Sequence, residues 1–189
     1  MKRVKIGELE TKDQENTLSE VRLLASVNHP HILAFREAFV DPTTSDFCLV
    51  TEFAEGGDLL SLIKHHANMG VPIKESFIWS VIHQLSEALL HLHNLGVIHR
   101  DVKAANVLLN KDKNIVTLAD LNVAKVAANR FLHTQTGTPY YVAPEVWRDE
   151  PYDSKTDLWS LGCLAYELCN LSPPFRAKDM EGLYEKVQA

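Results

Sequence analysis

Long hydrophobic runs are absent from this sequence of 189 residues. No apolar stretch approaches the roughly 20 residues that a helix needs to span a bilayer, so membrane insertion is not expected. The basic start, MKRVKIGELE, is followed by no apolar core, and a secretory signal peptide is therefore not expected either. Internal repeats and low-complexity linkers are also absent, and the length suits one domain or slightly more.

Cysteine is scarce, and the charge balance is not basic. Cys48, Cys163 and Cys169 form no CxxC pair and lie among Phe, Leu and Ala, so we expect buried free thiols in a reducing compartment. The formal net charge of −6 argues against nucleic acid as the main partner. With 46% hydrophobic and 23% charged residues, the composition is typical of a soluble globular protein.

The apolar pattern predicts strands in the first third of the chain and mainly helices afterwards. Helices are predicted over 12–27, after the cap Asp58, over 74–95, over 153–171 and from 178 onward; strands are predicted over 32–40, 46–53, 107–109 and 115–118. Gly96 suits the left-handed position that ends the long helix. Residues 120–145 lack periodicity and predict a long functional loop. This order indicates an α+β protein with a break near residue 54.

The segment HRDVKAAN, from His99 to Asn106, carries the most informative set of side chains. It places Asp101, Lys103 and Asn106 on one tight loop, and a second carboxylate, Asp120, follows the next predicted hairpin. Phosphoryl transfer from ATP uses this set: one carboxylate orients the attacking hydroxyl, a cation screens the phosphate, and an Asn and an Asp hold Mg²⁺. An isolated HRD is more often a capped turn, but the Lys, the Asn and the downstream Asp in register favour phosphoryl transfer.

These strings resemble the catalytic loop and the magnesium loop of protein kinases. GTPYYVAPEVW, LGCLAYELCNLSPPF and FRAKDMEGLYEKV further resemble the NIMA-related kinase family, and the resemblance runs through essentially the whole chain. It implies an incomplete bilobal kinase fold, with 1–53 as a partial N-lobe, 54–57 as the hinge and 58–189 as a partial C-lobe. It also implies ATP- and Mg²⁺-dependent phosphorylation of Ser or Thr on protein substrates.

The resemblance assigns residues to the nucleotide. Lys2 resembles the strand lysine that holds the α- and β-phosphates, and Glu20 on the first predicted helix would pair with it. The segment LVTEFAEGG resembles a kinase hinge, which would make Thr51 the gatekeeper. The backbone of Glu52 and of Ala54 would then bond the adenine edge. A further cofactor-binding position implied by the resemblance is Leu108.

Regulation and substrate docking are implied in the same way. Arg100 would pair with a phosphorylated loop residue, with Thr134 at the family's usual activating position and Thr136 second. GTPYY and APE resemble the loop that docks the substrate, so Thr138 and Glu145 are assigned to docking. Lys103 and Thr138 together resemble a Ser/Thr rather than a Tyr kinase. Structural support for the catalytic loop is expected from His99, Leu121 and Asp157.

Two departures from the family pattern stand out. Asn122 replaces the usual Gly after the magnesium Asp, and Asn is the non-Gly residue that best tolerates left-handed dihedrals. No G-x-G-x-x-G loop precedes Lys2, and the last predicted helix is cut off at Ala189. In the family, Glu145 pairs with an Arg beyond this point. We therefore expect a fragment of an active kinase, marginal in stability, with apolar surface exposed on the 153–171 helix.

Two other interpretations remain open at this point. The chain could be a catalytically inactive kinase-like module that binds partners, or a small-molecule phosphotransferase. The GTPYY and APE strings disfavour the second, because they build a peptide-docking loop. The kinase interpretation is favoured by six intact residues: Lys2, Glu20, Asp101, Lys103, Asn106 and Asp120. The family further implies a cytoplasmic protein associated with the cytoskeleton, centrosome or cilium, and the sequence sets no oligomeric state.

Overall fold

The computed structural model describes residues 1–5, 25–44, 46–120 and 139–189. The strands are β1 (Lys2–Lys5), β2 (Phe35–Val40), β3 (Asp46–Thr51), β4 (Val107–Leu109) and β5 (Val116–Leu118); the helices are α1 (Leu59–Met69), α2 (Glu75–Asn94), α3 (Pro144–Trp147), α4 (Lys155–Asn170) and α5 (Met180–Gln188). The α+β order follows the prediction. The predicted helix over 12–27 lies almost entirely outside the described residues.

The first three strands form an antiparallel sheet in the order β1-β3-β2. The middle strand buries Phe47, Cys48 and Leu49, as its β-branched and aromatic composition favours. The predicted strand over 32–40 is too long at its start, because Ile32 leaves this sheet and bridges to Leu118 instead. The predicted strand over 46–53 ends early, at Thr51, where the chain turns out of the sheet.

Helix α2 is the central helix of residues 58–189, and it packs against α4 and β5. It confirms the helix predicted over 74–95, and Gly96 ends it with a left-handed φ of 73°. Its buried stripe follows the helical repeat: Ile78, Val81, Leu85, Ala88, Leu89 and Leu92. No described helix combines the length and the apolarity needed to cross a membrane.

The ends of the remaining helices have clear local causes. Asp58 caps α1 as predicted, since its Oδ1 accepts a hydrogen bond from Ser61 N at 2.7 Å. Helix α3 lies in the tail of the predicted loop; at four residues it is too short to show periodicity, and Pro144 occupies its first turn. Leu158 on α4 is 53% exposed, as predicted for this helix.

The prediction of three buried thiols is only partly right. Cys48 and Cys163 are buried, and burial raises the pKa of Cys163 to about 11. Cys169 is exposed, because it lies on the outward side of the last turn of α4. The two buried thiols therefore act as small apolar residues of the core.

The hairpin of β4 and β5 joins the two parts of the chain. Its antiparallel register pairs Val107 with Leu118. On the other side of β5, Leu118 N donates to His31 O at 2.9 Å and Leu33 N donates to Leu118 O at 2.9 Å. The segment that leads into β2 therefore runs beside β5, and the hairpin lies between the small sheet and the helices.

Candidate active site

The loop that carries the predicted catalytic residues is held from below by Asp157 on α4. This carboxylate is 1% exposed. It accepts hydrogen bonds from His99 N at 2.9 Å and from Arg100 N at 2.8 Å. Both bonds fix the loop backbone where Arg100 adopts a left-handed φ of 66°. Asp157 therefore contacts two backbone groups of this loop, and its supporting role stays a prediction that these contacts favour.

His99 is buried and links the loop to the end of β5. Its Nε2 lies 3.0 Å from Ala119 O, and its Nδ1 lies 3.2 Å from Asp101 N. A carbonyl can only accept and a backbone N–H can only donate, so the proton of the neutral ring is on Nε2. Burial lowers the pKa of His99, which keeps the ring in this neutral form.

Asp101, Lys103 and Asn106 converge as predicted. Lys103 Nζ donates to both carboxylate oxygens of Asp101, at 3.0 and 2.9 Å. Asn106 Nδ2 donates to Asp101 O at 2.8 Å and to Asp101 Oδ2 at 3.1 Å. The carboxylate is therefore oriented by a cation and an amide, and the Asn106 amide oxygen takes part in neither bond.

The hairpin places Asp120 at the same end of the site. Asn106 immediately precedes β4, and its carbonyl accepts from Ala119 N at 2.8 Å. Asp120 follows Ala119 with a left-handed φ of 61° and is exposed. One carboxylate and one amide oxygen are a donor set that suits Mg²⁺, which takes few protein ligands and completes its shell with phosphate and water. Within the described ranges, no three His, Cys, Asp or Glu side chains form a metal cluster of their own.

The predicted hinge runs along the same hairpin. Gly56 N donates to Leu109 O and Leu109 N donates to Gly57 O, both at 2.9 Å. Asp58 bridges to Leu108, which is partly buried just below the hinge. This pairing places Leu108 next to the hinge, and its role in binding the nucleotide stays a prediction.

The hinge residues themselves differ in what their backbones bind. The N–H of Glu52 donates to Ala34 O at 2.9 Å, so the Glu52 group that can reach a ligand is its carbonyl. The carbonyl of Ala54 accepts a long bond from Gly57 N at 3.4 Å. The Ala54 N–H donates no hydrogen bond to another described residue, so this group can reach a ligand. Thr51 is half-buried at the end of β3.

Several predicted site residues lie wholly or partly outside the described residues. Lys2 is in β1, where its backbone pairs with Leu49, and its side chain is not described. Glu20, Leu121, Asn122, Thr134, Thr136 and Thr138 lie outside the described ranges. Their roles stay predictions.

Arg100 and Glu145 are both described, but the partners predicted for them lie outside the described residues. The Arg100 guanidinium lies 5.5 Å from the centre of the Tyr152 ring, and Arg100 as a whole is exposed. Glu145 is half-buried and lines a cleft of about 740 Å³ together with Tyr152 and Trp159. No described residue forms an ion pair with Glu145.

Sequence reasoning missed two contacts that support the site. His93 Nε2 lies 2.8 Å from Asp157 Oδ2 and adds a third hydrogen bond to that carboxylate. The hydroxyl of Tyr141 donates to Glu167 Oε2, and Glu167 is a buried carboxyl on α4 whose pKa is raised by that burial. No sequence signal pointed to either pair, because their partners are 64 and 26 residues apart.

The fold and this loop define a protein kinase domain. The family described as "Protein kinase domain" matches residues 1–189, and the chain belongs to it. Among its relatives are Serine/threonine-protein kinase Nek6 of Oryza sativa subsp. japonica, 40% identical over 99% of this chain, and Serine/threonine-protein kinase Nek2 of Homo sapiens, 37% identical over 99%. The resemblance to NIMA-related kinases is thereby confirmed. The chain spans 34% and 43% of the lengths of these two relatives.

Proposed function

We propose that the protein carrying this chain transfers the γ-phosphoryl group of ATP to Ser or Thr residues of protein substrates. The observation that carries the proposal is the orientation of Asp101, whose carboxylate is held by Lys103 and Asn106 within 3.1 Å. A module that only binds partners has no chemical need for this arrangement. The relatives of the chain are named serine/threonine-protein kinases, which supports the same substrate class.

The chemistry follows from the groups on the loop. A substrate hydroxyl donates its hydrogen bond to Asp101 and passes it the proton late, as its oxygen bonds to phosphorus and the bond to ADP breaks. Lys103 neutralises charge on the transferred group. Asn106 and Asp120 would hold Mg²⁺, which when bound supplies positive charge to the phosphates.

The nucleotide is bound by the hinge and the small sheet. The carbonyl of Glu52 and the N–H of Ala54 would bond the adenine edge, with Leu108 beneath the ring. Lys2, paired with Glu20, would hold the α- and β-phosphates. The half-buried Thr51 would close the back of the adenine site.

Substrate docking and activation involve the loop before α3. Thr138 and Glu145 would shape the docking surface, and Arg100 would bind a phosphate on Thr134 or, second, on Thr136. The exposed position of Arg100 above Tyr152 suits contact with such a group. Mass spectrometry of the active protein tests this role: a phosphate on Thr134 supports it, and an active protein without one contradicts it.

Replacing Asp101→Asn tests the function directly. We expect phosphorylation of a Ser/Thr peptide from labelled ATP to fall by about 10²–10⁴-fold, because the amide cannot accept the proton. The matched control is Asp112→Asn, an exposed carboxylate in the β4–β5 turn, which should leave the rate unchanged. Chelation of Mg²⁺ should also abolish transfer. A folded wild-type protein that transfers no phosphate with Mg²⁺ and ATP would instead support the inactive partner-binding module.

The proposed cellular site is the cytoplasm, with association to the cytoskeleton, centrosome or cilium. The support is the family resemblance and the presence of free thiols at Cys48, Cys163 and Cys169. Imaging of the tagged full-length protein checks this: a signal confined to the secretory pathway contradicts it. The net charge of −6 supports protein rather than nucleic acid as the partner.

A further inference from the structure

The residue pair just beyond the end of the β2–β3 ladder, Ala34 and Glu52, has an unusual hydrogen-bond pattern. In a regular antiparallel hydrogen-bonded pair, two residues exchange both of their N–H···O bonds. Glu52 and Ala34 make only one of the two in this way, from Glu52 N to Ala34 O at 2.9 Å. The return bond from Ala34 N goes to the side-chain oxygen Oε1 of Glu52, at 3.2 Å.

The neighbouring backbone explains why the regular pair does not close. The ladder has a register shift between Phe35 and Glu37. On the other side of Ala34 the chain leaves the sheet, since Leu33 N donates to Leu118 O at 2.9 Å. The chain at Ala34 therefore runs towards β5. The Glu52 side chain extends further than the Glu52 carbonyl and accepts the hydrogen bond from Ala34 N.

We propose that the carboxylate of Glu52 is a positioning group that substitutes for its own carbonyl in the sheet and so releases that carbonyl for the 6-amino group of adenine. The inference rests on the proposed function and extends it from the backbone of Glu52 to its side chain. The N–H of Ala34 is satisfied without the Glu52 carbonyl, and no hydrogen bond between described residues ends on that carbonyl. The released acceptor lies at the start of the hinge, one residue after Thr51.

The hydrogen bond from Ala34 N requires an acceptor in the side chain of residue 52 but does not require a negative charge there. Its Oε2 is 3.9 Å from Arg36 Nη2, and the Arg36 side chain is 63% exposed, so this ion pair contributes little. What matters is an acceptor of the right length. A glutamine supplies the same acceptor without charge, whereas a leucine fills similar space and supplies none. In Glu52→Leu, the acceptor remaining for Ala34 N is the backbone carbonyl of residue 52 itself, which then competes with adenine.

The experiment compares ATP with its 6-deamino analogue, purine riboside triphosphate, which lacks the amino group that the carbonyl would bind. Steady-state KM and kcat are measured with the full protein as wild type, Glu52→Gln, Glu52→Leu and the control Glu37→Leu. Glu37 is an exposed carboxylate on β2 and outside the site. Equilibrium binding of both nucleotides and the unfolding midpoint are measured for each variant.

In the wild type we expect KM for ATP to be about five- to tenfold below that of the analogue, the effect of one hydrogen bond. Glu52→Leu should reduce this preference to about twofold or less by raising KM for ATP, with kcat little changed because the bond is the same in ground and transition states. Glu52→Gln and Glu37→Leu should keep the wild-type preference.

Two results would overturn the inference while leaving the proposed function intact. One is a Glu52→Leu protein that keeps the full preference for ATP. The other is a Glu52→Leu protein that loses affinity for both nucleotides equally, as general loosening of the hinge would cause. A folded wild-type protein that binds neither nucleotide overturns the proposed function and the inference together.

Discussion

At the scale of single residues, Asp157 contributes most to the shape of the site. One buried carboxylate accepts from two backbone N–H groups of the catalytic loop and from the ring of His93. These bonds hold Arg100 in a left-handed conformation that non-glycine residues rarely adopt. The loop conformation is therefore set from α4, which lies in a distant part of the chain, and not by the loop sequence alone.

The hydrogen bond between Tyr141 and the buried carboxyl of Glu167 should contribute to the free energy of unfolding. Tyr141→Phe removes the hydroxyl that donates to Glu167 and leaves a buried carboxyl without that donor. We expect the free energy of unfolding to fall by about 1–3 kcal/mol. Urea denaturation measures this, and Tyr166→Phe is the matched control, because Tyr166 lies one residue before Glu167 and is 47% exposed. Equal losses in the two variants would contradict a specific role for the pair.

The residues proposed to carry the chemistry could be picked out from the sequence because they lie close together in it. Asp101, Lys103 and Asn106 share one short loop, and the hairpin that adds Asp120 is marked by its own turn. His93 and Glu167 could not be predicted, because each acquires its role from a partner in another element. The acceptor role of the Glu52 side chain was missed for the same reason, since it depends on the path of the chain around Ala34.

At the scale of elements, periodic segments were predicted well and short ones were not. Helix α2 buries a long stripe, so its bounds differ from the prediction by one residue at each end. The start of β2 was wrong because pairing with β5, and not local propensity, decides where Ile32 goes. Helix α3 makes one turn, which no periodicity can reveal.

The hinge packs closely against the β4–β5 hairpin at Gly56. A Cβ added to Gly56 would lie 2.7 Å from Leu109 O and would overlap Asn110 O, and neither backbone atom can move independently. Gly56→Ala should therefore separate the hinge from the hairpin and lower the free energy of unfolding by about 1–3 kcal/mol. Nucleotide affinity should fall as well.

The matched control is the same substitution in a helix. Gly162 is on α4, and a Cβ added there would have no atom within 4 Å outside its own helix backbone and its chain neighbours. Gly162→Ala should raise the free energy of unfolding by about 0.5–1 kcal/mol, since alanine is the better helix former. Thermal or urea unfolding of both variants checks the opposite signs, and a neutral Gly56→Ala would show that the hinge does not pack on the hairpin.

At the scale of the whole molecule, two histidines make the folded state sensitive to acid. Partial burial and the neighbouring rings of His91 and His31 lower the pKa of His29, and burial lowers the pKa of His99. The unfolded chain binds these protons near pH 6.5, whereas the folded chain resists them until lower pH. Their stabilisation is complete above pH 6.5 and is lost as the pH falls through the lowered folded-state values.

We therefore expect the urea midpoint to be lower at about pH 5.5 than at about pH 7.5. His29→Gln should reduce this difference, because the glutamine does not titrate. His65→Gln is the control, since His65 is exposed on α1 and distant from both groups in sequence. A pH difference that is the same in His29→Gln as in the wild type would exclude His29 as a source.

The double attachment of the small sheet to the hairpin restricts how the molecule can move. Gly56 and Gly57 are tied to Leu109 in β4, and the segment of Ile32 and Leu33 is tied to Leu118 in β5. A rigid body fastened at two points keeps a single rotation, about the line through them. We therefore expect the sheet to rock on the hairpin and not to slide across it. Asp120, two residues after Leu118, should then stay near the axis of rotation, and Lys2, in the outer strand β1, should move along an arc.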